Sequence, residues 1–482
     1  MLLVGCVGDV GSGKTSLLED LAAWAMARGR RVDGFTAPAG DRVVARRGSE
    51  RYDIRWLDDG AATPFVVRDM DAGVGNRPPY RVDPDAAARD TAWAARLTEG
   101  EMPDLVILDE FGPLEAAGGG HIAVWPAVRE VEPGVVVIAV RPKAVDAVEA
   151  ALGQRFDVRV DATSPRAAEQ LRALCVAQAD WARVGVYGAG AGAIEMTLGS
   201  ALHAAQVPVS GLVLSSLQAV VLVLAGSGLA RRLRVVWVSF IAAGLKALSP
   251  AGNRLRPMLA ITVQGVLFGA ATTVLGWNVL GAAVGGWLVG AWAAGQGILI
   301  QYILVGDELL RAYAAAVGWL QRTWGIAGPA VGVAIGGWIA LNGLIAAAVT
   351  VYAWRRRVLP ARVRRIFERG PARLPGGSTG GWRVAIASGL RDLARPSFIL
   401  PVLLIVVIIL AAGAGWARAF WVAARAAVVG FVIFSAARAM DPHRLVAWLR
   451  RHGHWGPAIA FTRALSAARR RENADSEKGG PC

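Results

Sequence analysis

The chain has 482 residues, 52 Lys+Arg against 37 Asp+Glu, and a hydrophobic share of 54%, which is too long for one ordinary domain. The charge is unevenly divided: residues 1–180 carry 21 basic and 28 acidic side chains, whereas residues 181–482 carry 31 and 9. The basic excess flanks long apolar runs, which points to a bilayer and excludes a nucleic-acid partner from the expectations.

In chain order, the apolar run Leu2 to Val7 predicts a strand, and Gly8 to Thr15 (Gly-Asp-Val-Gly-Ser-Gly-Lys-Thr) follows it directly. This G-x-x-x-x-G-K-[ST] pattern curls the backbone so that successive N–H groups face phosphate oxygens, with a helix N-terminus behind them. The residues Gly8, Asp9, Val10, Gly11, Ser12, Gly13, Lys14, Thr15 and Ser16 are therefore expected to bind a nucleoside triphosphate, ATP, GTP or another. Lys14 is one of only four lysines; it is expected on the β- and γ-phosphates, and the Thr15 hydroxyl on Mg²⁺. A strand near Arg31 to Phe35 comes next, then a hairpin of Arg42–Arg47 and Arg51–Leu57 turning at Asp58-Asp59-Gly60. Pro84 to Leu97 reads as a helix, and Leu105 to Leu108 as a short apolar strand that ends in Asp109-Glu110. Helix 121–131, strand Val135–Val140, helix 143–152, strand Phe156–Val160 and helix 164–178 complete an alternation that predicts a doubly wound, mainly parallel α/β sheet. Ligands of such sheets bind at the carboxyl ends of the strands.

Asp109 is expected to hold Mg²⁺ and Glu110 to polarise the attacking water. Arg141 is read either as an arginine finger supplied in cis or as a solvated loop residue, and surface statistics favour the second. Cys6, Cys175 and Cys482 have no metal or pairing logic, and Cys6 is expected in the core.

Residues 1 to about 175 resemble the small P-loop nucleoside-triphosphatase family that includes the thermophilic nucleoside-triphosphate phosphohydrolases and the human cancer-related nucleoside-triphosphatase. The matching pieces are Gly11-Ser12-Gly13-Lys14-Thr15, Gly29 to Thr36 and Asp109 to Glu115. The resemblance implies slow hydrolysis of several nucleoside triphosphates, with Lys14, Thr15, Asp109 and Glu110 as the carried-over site. The pattern departs at Ala37 to Arg42 and at Arg51-Tyr52-Asp53, so no base or sugar contact is transferred. There is no Asn-Lys-x-Asp guanine motif and no Leu-Ser-Gly-Gly-Gln signature. A nucleotide or nucleoside kinase is the rival phosphate-loop identity.

Beyond Val184 the texture predicts an all-α polytopic membrane domain. Apolar runs lie near 184–204, 210–230, 235–248, 258–276, 279–305 and 327–353, with a final pair near 397–415 and 419–437. The expected organisation is a nucleotide domain (1–180), a six-span domain (181–354), a basic linker (355–395), a two-span hairpin (396–440) and a tail (441–482) that looks disordered after Ala467. Arg231, Arg232 and Arg234, and Arg355 to Arg357, follow the positive-inside rule if the nucleotide domain is cytoplasmic. The chain opens directly into its first strand, so no cleavable leader is expected. The localisation read from this is a bacterial inner membrane, multi-pass.

Glu195 is the only acidic residue between 181 and 306, and an ionisable group inside a span is a functional-site candidate, with His203 and Lys246 as partners. The alternative places Glu195 in water on an interfacial helix. The stretch Lys246 to Arg256, broken by Pro250 and Gly252 and followed by a span holding Gln264, has the look of a cavity or substrate-loop lining; Trp277-Asn278 and Gln296 to Gln301 add polar groups near span ends. Gly281, Gly285, Gly286, Gly290, Gly332 and Gly336 read as close-packing faces, and Arg425 as a snorkelling side chain. In span number and small-residue texture, 185–353 resembles the substrate-capture components of energy-coupling-factor vitamin transporters, which implies a small solute and partner subunits. Without solute movement, the same chain is a membrane-anchored triphosphatase or nucleotide sensor.

Overall fold

A computed structural model describes residues 1–38, 43–46, 49–69, 80–204, 209–247, 255–325, 328–358, 396–411, 415–439 and 442–478, with a few isolated positions between 364 and 394. The chain divides into two compact units, Met1–Ala179 with Gly453–Ile459, and Asp180–His452 with Ala460–Cys482.

In the first unit, strands β1 (Leu2–Val7), β2 (Val32–Thr36), β7 (Leu105–Phe111), β8 (Val135–Val140) and β9 (Val158–Asp161) pair in parallel in the order β2-β7-β8-β1-β9. The residues of β8, Val-Val-Val-Ile-Ala-Val, are all buried, as a central parallel strand requires. The helices between these strands are α1 (Lys14–Met26), α2 (Pro84–Glu99), α3 (Pro113–Ala116), α4 (Trp125–Val131) and α5 (Val145–Leu152). At the start of α2, Asp83 caps the Asp85 N–H at 3.0 Å and Pro84 takes the first turn, where no N–H is needed.

The expected hairpin is larger than its sequence signal. Strands β3 (Val43–Arg46), β4 (Ser49–Trp56), β5 (Ala62–Asp69) and β6 (Tyr80–Val82) are antiparallel and extend the same sheet beyond β2. The sheet is thus mixed, with a parallel nucleus and an antiparallel wing. Trp56 on β4 and Trp93 on α2 are fully buried beside Phe35 and Phe111, and the Trp93 indole donates to Asp33 at 2.7 Å. Cys6 is fully buried on β1, and burial pushes its thiol up to about 12.

From Ala167 onward the described chain is helical, and its first helix runs from the first unit into the second. Helix α6 (Ala167–Ile194) leads into a π-helical turn (Glu195–Gly199) and α7 (Ser200–Ala204). Then come α8 (Ser210–Ser227), α9 (Val236–Ala247), α10 (Leu255–Val274), α11 (Val279–Val305), α12 (Glu308–Trp324) and α13 (Gly328–Arg356). After the basic linker, which lies largely outside the described residues, follow α14 (Pro396–Ala411), α15 (Trp416–Ala439), α16 (Pro442–Arg451) and α17 (Trp455–Lys478).

Among the described residues, four stretches are long and apolar enough to cross a membrane: Ser210–Ser227, Pro257–Val274, Val279–Ile303 and Pro329–Arg356. The other apolar runs differ for visible reasons. The run at 235–248 gives a helix of 12 residues, α9, about 18 Å long at 1.5 Å per residue. The run at 184–204 is the end of a helix that starts at Ala167 and is interrupted by the π turn. Helix α12 was not marked by any apolar run, because its polar and apolar side chains alternate at helical spacing. The expected disordered tail is instead helical to Lys478, as its Ala, Arg and Glu content favours.

Gly286 and Gly290 of α11 lie against α13, where a Cβ would meet Thr350 Oγ1 at 2.3 Å and the Asn342 carbonyl at 2.4 Å. Gly332 and Gly336 meet nothing within 4 Å and form no such face. Asp180 accepts from Ala230 N, Arg231 N and Arg234 Nη1 at 2.8–3.0 Å, so part of the arginine cluster serves a helix junction. The Arg425 guanidinium donates to the Ile303 carbonyl at 3.4 Å, a helix-to-helix contact.

Gly34 makes the parallel pairing of β2 and β7 possible: its φ is +107°, and a Cβ there would lie 2.0 Å from the Ile107 carbonyl oxygen. Gly34→Ala combines left-handed strain with an overlap, and is expected to cost the first unit about 2–4 kcal/mol. Thermal unfolding of the purified chain in detergent should show its transition fall by roughly 5–15 °C; a shift under about 2 °C contradicts the packing described.

Candidate functional site

The loop between β1 and α1 takes its shape from two glycines in the left-handed region, Gly11 (φ +78°) and Gly13 (φ +83°), where an L side chain is strained. The Lys14 ammonium donates to the carbonyls of Gly8 and Asp9, both at 2.9 Å. The Ser12 hydroxyl is buried with no hydrogen-bond partner among the described residues. A buried orphan hydroxyl, a lysine paired only to carbonyls and a helix N-terminus form a donor set without its acceptor, and that is the chemistry of a phosphate cradle.

Asp109 and Glu110 are neighbours in sequence with different surroundings. The expected strand ends at Leu108, but β7 continues to Phe111 through a bulge: Leu108 pairs with Ile138 and Phe111 with Val140, so β7 carries one extra residue. Glu110 has φ +60°, a strained conformation for a residue with a Cβ. Asp109 is fully buried, accepting from the N–H of Ala37 at 3.1 Å and of Glu110 at 2.9 Å. The Thr15 hydroxyl, 3.4 Å from the Ala37 carbonyl, is beside it. Burial pushes the Asp109 carboxyl from 3.8 up to about 6; the Ala37 N–H and Thr15 hydroxyl oppose the rise, and the Glu110 charge adds to it. A hydroxyl and a buried, charge-starved carboxylate are hard oxygen donors and fit a magnesium ion.

Glu110 instead opens onto a cavity of about 400 Å³ that also meets Val10, Tyr52, Phe65, Glu115 and Arg141. Arg141 Nη2 is 3.8 Å from Glu110 Oε2, and both side chains are about 40% exposed. The structure therefore brings Arg141 to the predicted site, although sequence statistics favoured a solvated residue. Glu115 is buried, accepting from Gly112 N at 2.8 Å, and burial pushes its carboxyl up. A buried pair went unnoticed in the sequence: His121 Nδ1 lies 2.8 Å from Asp90 Oδ2, with its ring stacked on Phe65 at 3.8 Å. Its partners lie 31 residues apart with no local pattern to join them.

In the second unit, Glu195 and Lys246 are brought together. Lys246 Nζ donates to the Glu195 backbone carbonyl at 2.8 Å, and both side chains line one cavity of about 590 Å³. Glu195 is buried, not in water on an interfacial helix. The His203 side chain and residues 248–254 lie outside those described.

Residues 4–162 match the family model described as NTPase. No curated protein and no solved structure matches the chain. The matched segment contains the phosphate-loop motif, both carboxylates of the bulge and Arg141, and it stops before the helical unit. It supports nucleoside-triphosphatase activity for this segment.

The raised Asp109 pKa gives a stability signature in metal-free protein. The folded state holds this proton to about pH 6, whereas an unfolded carboxyl releases it near 3.8. The contribution is full below the lower value and is lost as pH rises through the higher one, a loss of order 3 kcal/mol at neutral pH. In chelator, Asp109→Asn should therefore gain stability on wild type between pH 4 and 7.5, and added Mg²⁺ should reverse the ranking. Denaturant unfolding at both pH values checks this, and parallel profiles for the two proteins refute it.

Proposed function

We propose that the chain is a membrane-bound, Mg²⁺-dependent nucleoside-triphosphate phosphohydrolase whose hydrolysis is coupled to movement of a small solute through the helical unit. The observation that carries the first half is the phosphate loop beside a bulged Asp109-Glu110 pair. In this reading Lys14 leaves the Gly8 and Asp9 carbonyls for the β- and γ-phosphates, and loop N–H groups from Gly8 to Ser16 surround the chain of phosphates. Thr15 and Asp109 would hold Mg²⁺, which would supply charge neutralisation on the phosphate oxygens. Glu110 accepts a proton from the attacking water in the cavity next to it. Arg141 restrains Glu110 and stands where charge builds up on the transferred group.

The lipid bilayer is the second partner, supported by the four long apolar helices. A bacterial inner membrane with the nucleotide unit on the cytoplasmic side agrees with the arginine placement. Transport, in place of simple anchoring, is favoured by one observation: the helical unit has a polar cavity with opposite charges in it. Partner subunits belong to the same reading. A kinase is the second chemistry, favoured by the size of the cavity before Glu110, about 400 Å³, far more than one water needs.

Phosphate release from ATP and GTP by the whole protein in nanodiscs separates these. Lys14→Ala should lower release by about 10²–10³-fold with weaker nucleotide binding. Glu110→Gln should lower it by about 10²–10⁴-fold with binding retained. Label appearing on an acceptor and not as free phosphate makes the protein a kinase, and release insensitive to both changes removes the site from the reaction.

A further inference from the structure

The cavity of the second unit is a mismatch of charge and partner. Glu195 and Lys246 are 7% and 3% exposed. The Glu195 carboxylate has no hydrogen-bond partner among the described residues, and Lys246 spends one of its three N–H groups on the Glu195 backbone carbonyl. Gln296 places a second acceptor at the cavity: its Oε1 is buried without a partner, while its Nε2 reaches the Ala293 carbonyl at 3.5 Å. Gln264 adds another buried amide. The π turn carries Glu195, and at Gly199 a Cβ would lie only 3.2 Å from Glu195 Oε2, so glycine keeps the space beside the carboxylate open. Such π turns in α-helices are frequent at functional sites.

We infer that this cavity binds a small zwitterion, an ammonium and a carboxylate in one molecule, of the size class of a free amino acid. Two acceptors without a hydrogen-bond partner among the described residues, the Glu195 carboxylate and Gln296 Oε1, suit an ammonium. The Lys246 ammonium, with one N–H group committed among the described residues, suits a carboxylate. The lining is itself neutral, one charge of each sign, so a ligand of zero net charge leaves no uncompensated charge among apolar helices, whereas a lone cation or anion does. The volume of about 590 Å³ lies in the range of small-molecule sites. This names the solute class of the proposed coupling and rests on that reading for the movement, but not for the binding.

The test is equilibrium binding to the full chain in nanodiscs of phosphatidylglycerol, without nucleotide, so that a failed hydrolase reading leaves the result intact. The probes are the twenty L-amino acids, with butylamine and butyrate as half-ligands. At least one amino acid should bind at least tenfold more tightly than either half-ligand. Its affinity should fall tenfold or more in Glu195→Gln and in Lys246→Met, with both variants eluting as the wild type does. The assignment is overturned if no amino acid binds the wild type, if a half-ligand binds as well, or if Glu195→Gln binds unchanged. It is also overturned if phosphatidylethanolamine put into the discs is the only zwitterion that binds, because the site then belongs to a lipid headgroup. Where binding is found, phosphate release measured with and without that amino acid reads the coupling separately.

Discussion

A single extra residue in β7 governs the chemistry of the first unit. In a regular strand Asp109 and Glu110 would point to opposite faces of the sheet. The bulge sends both to the carboxyl end but gives them different solvents: one is closed in against the Ala37 N–H, the other opens on a cavity. Two carboxylates of similar intrinsic acidity thereby meet different surroundings, one desolvated and the other facing the cavity. The strained backbone at Glu110 is held by the flanking pairings of Leu108 and Phe111 with β8, which is why the bulge needs a fully buried central strand beside it.

The phosphate loop was legible because every position in it answers a backbone or charge requirement that only one or two residue types meet. Asp109-Glu110 was legible as a pair, but not as a bulge, since register depends on the partner strand. The antiparallel wing was half visible: the turn at Asp58-Asp59-Gly60 announced β4, whereas Pro64 inside β5 hid a strand that pairs on both sides. Helix α12 was missed because a search for apolar runs passes over an amphipathic helix between two of them. Arg141 could be brought to Glu110 only by tertiary placement, and the same holds for Lys246 and Glu195, 51 residues apart.

The two units treat buried charge in different ways. Around Asp109 the backbone supplies N–H donors, so the carboxylate is partly satisfied before any cation arrives. Around Glu195 the helices have spent their N–H groups internally, and among the described residues the charge beside the carboxylate is that of Lys246. The first arrangement suits a small hard ion that comes with the nucleotide, the second a ligand that carries its own pair of charges.

Lys14 has a consequence for what the loop ignores. Its two hydrogen bonds to Gly8 and Asp9 carbonyls are made by a charged donor, and a visitor must replace both before the loop gains anything. A solitary inorganic anion brings only a handful of oxygens to that exchange. A run of linked phosphates reaches the lysine, the loop amides and the helix end together. A molecule that engages the lysine, the loop amides and the helix end together would therefore gain most from replacing those two bonds.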